Sequence, residues 1–329
     1  MNTIDAVISW VDGYDPAYQQ KLRSFCQEKG LDQNSAVEPT RIQQVNEIHY
    51  CLLGLRRFAP WIRTIYIITN QQIPPAVTAH QGTPFGDKIR IIDQNDLLSD
   101  ANANTPVFNS ISIEWLIWRI KGLSNQFIYL NDDFFIIKPV TPADFFENNR
   151  LVLGGEWKVQ AAKKWSYQIK QRFYRWIGLP TPVPKTNPHR AWQEKSAQLA
   201  GFRTKFYLLP HAPFPLMKST FETYLEQQPD LFTQNIRFPF RHSDQVSSIP
   251  LMVHLDIQKK RVIYHSQSKT IMVNGATHSL KKIKSRLLQA TKKTPVSFVC
   301  MQSIDQAPPA TQQYLIGWLK SLMEDEIYQ

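Results

Sequence analysis

Residues 127–133 have the sequence FIYLNDD, in which an apolar run passes directly into an amide and two carboxylates. A short apolar run bounded by polar residues predicts a buried strand, here at 127–130. Similar runs of β-branched and aromatic residues predict three more strands, at 4–10, 64–69 and 88–92. Helical patterns separate these strands. Their alternation favours an α/β fold with a mostly parallel sheet and right-handed crossovers.

The helical patterns have recognisable ends and apolar faces. A helix is predicted at 47–58 with Asn46 as its N-cap, and a second one at 112–121. A basic amphipathic helix is predicted at 280–288, with its apolar face either on the core or on a membrane surface. A last helix is predicted at 311–323, and we expect its apolar stripe to pack on the core.

The composition changes in the middle of the chain. Residues 157–176 are aromatic and basic, and a proline-rich stretch follows at 180–188. This change predicts an inserted helical and basic subdomain with a proline-rich loop at 157–209. The parts on either side, 1–156 and 210–329, would then form the core together.

Charge is distributed unevenly over the 329 residues, which carry a formal net charge of +11. Residues 1–156 contain 13 Lys and Arg against 17 Asp and Glu, whereas 157–329 contain 25 against 10. Between 257 and 304 there are ten basic residues and no acidic one. The pattern predicts that the second half contacts an anionic substrate, polymer or membrane surface, although a solvated basic face produces the same pattern.

The composition also excludes several classes of protein. With 43% hydrophobic residues the chain has enough apolar material for a core, so wholesale disorder is excluded. No run approaches the ~20 apolar residues that span a bilayer, and residues 1–12 lack the basic region of a signal peptide. Cys26, Cys51 and Cys300 share no C-x-x-C spacing. We therefore expect a reducing, cytoplasmic location, with neither a disulfide framework nor a structural zinc site.

The first predicted strand ends in polar residues at the sheet edge where parallel α/β sheets bind ligands. Trp10 is suited to stack on a base, and Asp12 to accept a hydrogen bond from a base or a ribose. Gly13 would let a ligand approach the backbone closely. A simple strand-to-helix turn with a buried Trp10 explains the same residues equally well.

The fourth predicted strand ends in Asn131, Asp132 and Asp133. If the backbone stays extended, Asn131 and Asp133 share one side and Asp132 faces the other. Hard divalent cations prefer such oxygen ligands, and the spacing favours Asp133 as the ligand with Asp132 in support. A solvated turn or a helix cap would contain the same pair.

Two further side chains stand out in the second half. His211 lies between Pro210 and Pro213, which restrict its backbone and suit it to act as an acid or a base. Arg241 has the planar fork that matches phosphate oxygens, and Asp244 follows it. Taken singly, such residues are more often structural.

In their order, these motifs resemble the Stealth family, the sugar-phosphate transferases of bacterial capsule synthesis that are related to the animal lysosomal-enzyme GlcNAc-phosphotransferase. Four blocks carry the resemblance, at 4–16, about 41–146, 211–244 and 299–302. The longest block contains Arg41, Asn46, Glu47, Pro60, Trp61, IITNQ at 67–71, PVFNS at 106–110, Ile113, Glu114 and YLNDD at 129–133. The fourth block departs from the family, because Gln302 and Ser303 replace the Asn-Asp pair of relatives and the nearest acid is Asp305.

The resemblance implies transfer of a sugar-1-phosphate from a nucleotide diphosphate sugar to an acceptor hydroxyl. It also implies a Rossmann-like or GT-A-like sheet core. The implied catalytic residues are His211 as base, Arg241 as phosphate clamp, Asp132 and Asp133. Asp133, Asp132 and Gln302 would hold Mg²⁺ or Mn²⁺. The implied substrate-binding residues are Trp10, Asp12, Gly13, Arg41, Asn70, Asn109, Ser110, Asn131 and Asp244.

The implied donor is a UDP-linked sugar, and the implied acceptor is a growing polysaccharide or a lipid-pyrophosphate-linked oligosaccharide. Such an acceptor would bring the protein to the cytoplasmic face of the inner membrane. The rings at 157–176 are suited to stack on its sugars or to pack in the interior. No nucleic-acid-binding motif is present, so nucleic acid is not an expected partner.

Two alternatives stay open. The first is a metal-dependent GT-A-type glycosyltransferase that transfers only the sugar. Its metal motif would normally place two carboxylates two residues apart, whereas position 131 is Asn. The second is a non-catalytic polysaccharide-binding module, which gives Asp133 and His211 no role.

Overall fold

The computed structural model describes residues 3–33, 44–103, 106–184, 187–265, 269–292 and 295–324. Its strands are β1 (Ile4–Ser9), β2 (Ile65–Thr69), β3 (Ile89–Asp93), β4 (Gln126–Asn131), β5 (Phe134–Ile136), β6 (Phe146–Glu147), β7 (Arg150–Leu153), β8 (Glu156–Val159), β9 (Lys205–Leu208), β10 (Phe214–Met217), β11 (Val262–Tyr264), β12 (Thr270–Asn274) and β13 (Phe298–Gln302). Its helices are α1 (Pro16–Glu28), α2 (Glu47–Phe58), α3 (Pro75–Thr78), α4 (Gln94–Asp100), α5 (Ser110–Glu114), α6 (Trp165–Trp176), α7 (Pro188–Leu199), α8 (Lys218–Leu225), α9 (Pro229–Ile236), α10 (Ser248–Gln258), α11 (Leu280–Lys292) and α12 (Pro309–Met323).

The central sheet has the strand order β10-β4-β1-β2-β3. Strands β4, β1, β2 and β3 are mutually parallel, and only β10 runs antiparallel to its neighbour. Ile8 and Leu130 are fully buried partners in this sheet, as expected when helices cover both faces of parallel strands. The α/β fold with a mostly parallel sheet is confirmed, and the four predicted strands lie within one residue of their predicted ends.

A second sheet, β12-β13-β5, is joined to the central sheet by the acidic turn. Strand β5 begins at Phe134, directly after Asp132 and Asp133, and pairs antiparallel with β13. The backbone N–H of Met301 donates to the carbonyl of Asp133 over 3.1 Å. The turn therefore fixes the end of β13, which carries Gln302, beside the carboxyl end of β4.

The helix predicted at 47–58 is confirmed as α2, but its predicted cap is wrong. Asn46 has a left-handed backbone conformation, with φ 66°, and its side chain makes no capping hydrogen bond. The carboxylate of Glu47 instead accepts from the backbone N–H of Val45. An acidic side chain in the first helical turn also suits the positive end of the helix dipole.

The helix predicted at 112–121 is also different in the structure. Helix α5 begins earlier, at Ser110, and ends at Glu114, and a short 3₁₀ turn follows at Ile117–Arg119. The indole N–H of Trp118 donates to the carbonyl of Trp115. That carbonyl is the one that a continuing α-helix would offer to Arg119, so the side chain competes with the helix.

The segment predicted as an insertion contains α6 and α7, and β8 pairs antiparallel with β9 at its base. The three-part domain division remains a prediction. The predicted packing of the aromatic residues in the interior is wrong for α6, which has no buried side chain.

The two other predicted amphipathic helices pack on the core. Of the two alternatives for α11, the core-facing one holds, because Ile283 and Leu287 are fully buried. Helix α12 packs on the core through Leu315 and Leu319, as expected.

None of the helices within the described ranges has the length and apolarity needed to cross a bilayer. The three cysteines, Cys26, Cys51 and Cys300, are buried free thiols, in agreement with the expectation of no disulfide framework.

Candidate active site

A cleft of about 360 Å³ lies at the carboxyl ends of the central strands. It has this position because β1, β2 and β4 run parallel, so the residues that follow them meet at one edge. Nine of the predicted site residues line it together: Trp10, Asn70, Asn109, Ser110, Asn131, Asp132, Asp133, Arg241 and Gln302. The cleft therefore brings the acidic turn and Arg241 together, whereas His211 is not among its lining residues.

The acidic turn is held by side chains from two other parts of the chain. Asp132 Oδ2 accepts from Gln44 Nε2 over 2.7 Å, and Gln44 Oε1 accepts from the indole N–H of Trp10 over 3.1 Å. The thiol of Cys300 lies 3.5 Å from Asp133 Oδ2. Asp133 Oδ1 is buried and has no hydrogen-bond partner among the described residues. This oxygen is thus available to a ligand.

The predicted alternation of side chains at 131–133 is wrong. The strand β4 ends at Asn131, and the backbone turns through Asp132 and Asp133 before β5 begins. An extended backbone would separate the two carboxylates, whereas the turn brings Asn131, Asp132 and Asp133 all to the cleft.

Three carboxyl groups near this turn have raised pKa values. Burial raises the pKa of Asp133 to about 8, and the charges of Asp132 and Glu47 add to the effect. Burial, with the charge of Asp132, raises the pKa of Glu47 to about 7. Burial also raises the pKa of Asp132. The anionic forms are therefore destabilised here, and a bound cation would favour them.

The donor set suits a hard divalent cation that shares its coordination with a substrate. Asp132 and Asp133 supply carboxylate oxygens, one of them an unpartnered buried atom, and Gln302 supplies an amide oxygen. Across the described ranges, no group of three His, Cys, Asp or Glu side chains is placed to hold a metal ion. Mg²⁺ commonly binds through one or two carboxylates and substrate phosphates, so this sparse set fits it.

Arg241 is the cationic side chain of the cleft. Its Nη2 donates to Ser110 Oγ over 3.1 Å, and its guanidinium lies over the ring of Trp192, 5.4 Å from the centroid. Glu114 is buried nearby and accepts from Ser247 Oγ. Burial raises the pKa of Glu114 to about 7, although Arg241 opposes the shift. The guanidinium is held in position by a hydroxyl and an aromatic ring, which suits recognition of phosphate oxygens.

His211 does not line the cleft but lies beside it. Its ring stacks on that of His189 at 4.0 Å between centroids, and it contacts the ring of Phe134, which follows Asp133. Burial lowers the pKa of His211, and burial with the charges of His211 and Arg241 lowers the pKa of His189 to about 3. Burial thus favours the neutral form of both rings, and the larger shift makes His189 the weaker base of the two.

After β1, Trp10 lines the cleft, but Asp12 and Gly13 do not. Asp12 Oδ1 accepts from the backbone N–H of Tyr14, and the Asp12 backbone pairs with the side chain of Gln72. Gly13 is not among the glycines with a positive φ, the conformation in which glycine is most favoured. Trp10 is only 7% exposed. The turn with a buried Trp10 is thus the better description, and the predicted ligand roles of Asp12 and Gly13 have no geometric support.

Three further residues were predicted to bind substrate: Asp244, Arg41 and Asn109. Asp244 is exposed and lies near His242 outside the cleft. Arg41 lies outside the described residues. Asn109 caps α5 by accepting from Ile111 and donates to Gln245, so its side chain is used structurally.

Asn70 combines a structural contact with an available donor. Its Oδ1 accepts from Lys21 Nζ over 2.8 Å, whereas its Nδ2 is buried and has no partner among the described residues. A buried amide N–H without a partner is costly, so a ligand oxygen is the natural acceptor here.

Six side chains lie in or near the cleft although the sequence analysis gave them no role. They are Gln44, Glu47, Glu114, His189, Trp192 and Asp305. Glu47 and Glu114 belong to recognised blocks but sit within helical patterns, where an acidic residue is unremarkable. His189 and Trp192 come from the segment 157–209 that is predicted to be an insertion, and no local sequence pattern connects them to the cleft.

A family model for conserved region 2 of Stealth proteins matches residues 41–153. This stretch contains α2, the strands β2 to β4 and the acidic turn.

Named relatives extend the similarity beyond that region. A capsular polysaccharide phosphotransferase of Neisseria meningitidis serogroup B is 30% identical over 80% of this chain and 68% of its own length. An exopolysaccharide phosphotransferase of Streptomyces coelicolor is 32% identical over 76% of this chain, and the match covers 25% of that protein. The exopolysaccharide phosphotransferase CpsY of Mycobacterium tuberculosis is 29% identical over 93% of this chain and 54% of its own length. The chain thus spans only part of several relatives.

Among solved structures, the galactosyltransferase LgtC in complex with donor and acceptor sugar analogues aligns with 98% of this chain and 98% of its own. The identity is 12% and the TM-score is 0.47.

Proposed function

This chain belongs to the Stealth protein family, and on that basis we propose that it is a sugar-1-phosphate transferase. It moves a hexose- or hexosamine-1-phosphate from a nucleotide diphosphate sugar to an acceptor sugar hydroxyl and releases the nucleoside monophosphate. The product is a phosphodiester-linked bacterial capsule or exopolysaccharide. The observation that carries the proposal is the single cleft lined by both the acidic turn, Asp132 and Asp133, and the cationic Arg241.

The chemistry requires an in-line displacement at phosphorus. The acceptor oxygen forms a bond to the phosphorus that carries the sugar. The bond from that phosphorus to the bridging oxygen breaks, and its electron pair leaves with the nucleoside monophosphate. The proton of the acceptor hydroxyl passes to a base. Such a transfer needs little covalent chemistry from the protein, and depends on positioning and charge stabilisation.

Asp132, Asp133 and Gln302 would hold Mg²⁺ or Mn²⁺, which would neutralise pyrophosphate charge when bound. Arg241 binds the non-bridging oxygens of the transferred phosphate, with its guanidinium oriented by Ser110 and Trp192. A charge-assisted pair of hydrogen bonds from a fixed guanidinium strengthens as charge builds in the transition state.

His211 is the proposed base. Its lowered pKa keeps the ring neutral at pH 7, and the stack on His189 fixes its plane. An acceptor hydroxyl would approach from the side of His211. Because His211 contacts Phe134, it lies next to the acidic turn and not across the molecule from it.

The remaining cleft residues would bind the donor. Trp10 lines the cleft with little exposed area, and Asn70 offers its unpartnered N–H to a donor oxygen. We propose a UDP-linked donor and an acceptor that is a growing polysaccharide or a lipid-pyrophosphate-linked oligosaccharide. This reaction would take place at the cytoplasmic face of the inner membrane.

The test is incubation of the purified protein with a panel of nucleotide sugars, Mg²⁺ and oligosaccharide acceptors, followed by identification of the nucleotide released. Release of a nucleoside monophosphate that depends on acceptor supports the proposal. Release of the diphosphate would instead identify an enzyme that transfers only the sugar. Binding of polysaccharide without release of any nucleotide would identify a non-catalytic module.

A further inference from the structure

Helix α6 presents an apolar face to solvent. Trp165, Ile169, Phe173 and Trp176 are all exposed, and the two tryptophans are 78% and 82% exposed. At 100° per residue these four side chains fall within about 80° of arc on the helix. They form one continuous apolar stripe, which a soluble helix normally turns towards the core.

The orientation of α6 is therefore the reverse of that of a core-packed helix. Its least exposed side chains are Tyr167, Gln171 and Tyr174, which occupy the opposite side of the helix. The less exposed face of the helix is thus the one with Tyr167, Gln171 and Tyr174, and the tryptophans are directed outward. Exposed apolar patches of this kind mark interaction surfaces.

The charges around α6 all have the same sign. Five exposed basic residues lie on the helix or just before it: Lys163, Lys164, Lys170, Arg172 and Arg175. The sequence contains no acidic residue between 157 and 193. A helix with aromatic residues on one face and lysine and arginine on the rest has the pattern of an interfacial helix, which lies in the surface of a bilayer.

We propose that α6 is a membrane-docking helix whose apolar face enters the surface of an anionic lipid bilayer. Its basic residues would then contact the lipid headgroups, each adding to the attraction. A second copy of this chain fits the surface less well. Two such faces would bring like charges together, in a protein whose net charge is already +11.

The position of α6 relates this surface to the cleft. Helix α7 follows α6 in the same inserted segment and carries both His189 and Trp192. Trp192 lies under the guanidinium of Arg241, which lines the cleft. Docking through α6 would therefore bring the catalytic cleft to the membrane that holds a lipid-linked acceptor. This part of the inference rests on the proposed function, whereas lipid binding itself does not.

The first test measures binding of the full chain to phosphatidylcholine vesicles with and without phosphatidylglycerol, in the absence of substrate. We expect binding only to the anionic vesicles. The double variant Trp165→Ser/Trp176→Ser should lose at least about tenfold in partition coefficient, because two large apolar side chains no longer enter the bilayer. The matched control is Leu288→Ser, which removes an exposed apolar side chain from the other basic amphipathic helix, α11.

The second test separates charge from apolar contact. Lys170→Glu/Arg172→Glu should weaken binding to anionic vesicles by about tenfold or more. The control double variant Lys281→Glu/Lys282→Glu on α11 changes the net charge by the same amount. It should weaken vesicle binding less than the α6 double variant does. An equal loss of vesicle binding in the two double variants would show that binding depends only on net charge. That result would overturn the assignment of the binding surface to α6.

Other results would overturn the proposal directly. These are no vesicle binding, binding unaffected by the tryptophan double variant, or a dimer in sedimentation velocity that the same variant dissolves while vesicles remain unbound. Nucleotide release with a water-soluble acceptor should be unchanged in the tryptophan variant. That assay separates failure of membrane docking from failure of the proposed enzymatic function.

Discussion

Asp133 is a buried carboxyl group that lies close to two other carboxyl groups. Burial and the neighbouring charges raise its pKa to about 8, which favours the protonated form in the metal-free protein at pH 7, and its unpartnered Oδ1 is available to a ligand. A divalent cation would reverse this by stabilising the carboxylate. The residue thus links metal binding to proton release.

The substitution Asp133→Asn tests this link. Because Asn resembles the protonated acid, the melting temperature of the metal-free protein should change little at pH 7. Turnover should fall by roughly 10²–10³-fold, and Mg²⁺ should no longer raise the melting temperature. Differential scanning fluorimetry with and without Mg²⁺ measures the change in melting temperature on metal binding, independently of turnover. The exposed Asp230→Asn is the control, and wild-type turnover in Asp133→Asn would remove this residue from the metal site.

Arg241 is expected to act on the transition state more than on the bound donor. The variant Arg241→Ala should lower kcat by about 10²-fold or more and leave the Kd of the free nucleotide within a few-fold of the wild type. Steady-state kinetics measures kcat, and nucleotide titration measures the Kd. Arg237→Ala, an exposed arginine in the same loop region, should change neither. A loss confined to nucleotide affinity would show that Arg241 anchors the donor only.

At the scale of secondary-structure elements, His254 joins α10 to β9. Its Nε2 accepts from the backbone N–H of Tyr207, and its other ring nitrogen contacts the carbonyl of Pro250. Burial lowers the pKa of His254 from 6.5 to about 4. The neutral ring is thus part of the packing between the helix and the strand that closes the inserted segment.

The pH dependence of stability follows from this shift. Between pH 6.5 and about 4 the unfolded chain binds a proton at His254 and the folded protein does not, so stability falls as the pH decreases through this range. The loss in the free energy of unfolding is on the order of 3 kcal/mol. Urea unfolding of His254→Gln should show a weaker dependence on pH over this range than the wild type or the exposed control His265→Gln. An unchanged dependence would exclude His254 as its source.

The elements themselves were predictable where one local pattern determines them. The strands β1 to β4 are short apolar runs, so their ends could be placed within one residue. The end of helix α5 could not be predicted, because the indole N–H of Trp118 donates to a main-chain carbonyl that a longer helix would use. The outward-facing stripe of α6 was also missed, since the same pattern of aromatic residues fits a buried helix.

For the whole molecule, parallel strands made the candidate site partly predictable. Residues at the ends of β1, β2 and β4 must meet at one edge, so Trp10, Asn70 and Asp133 could be grouped from sequence. His189 and Trp192 could not be grouped with them, because they lie on α7, and the position of this helix relative to the cleft depends on tertiary packing. The roles assigned to Asp12 and Gly13 have no geometric support, because both residues make local hydrogen bonds and do not line the cleft.

In the proposed reaction, phosphorus leaves the donor together with the sugar. A nucleotide diphosphate sugar that is isotopically labelled at the phosphorus attached to the sugar, incubated with Mg²⁺ and an oligosaccharide acceptor, tests this transfer. We expect the label to appear in the extended acceptor and unlabelled nucleoside monophosphate to be released. Label retained in a released nucleoside diphosphate, with unlabelled sugar on the acceptor, would contradict the proposed reaction.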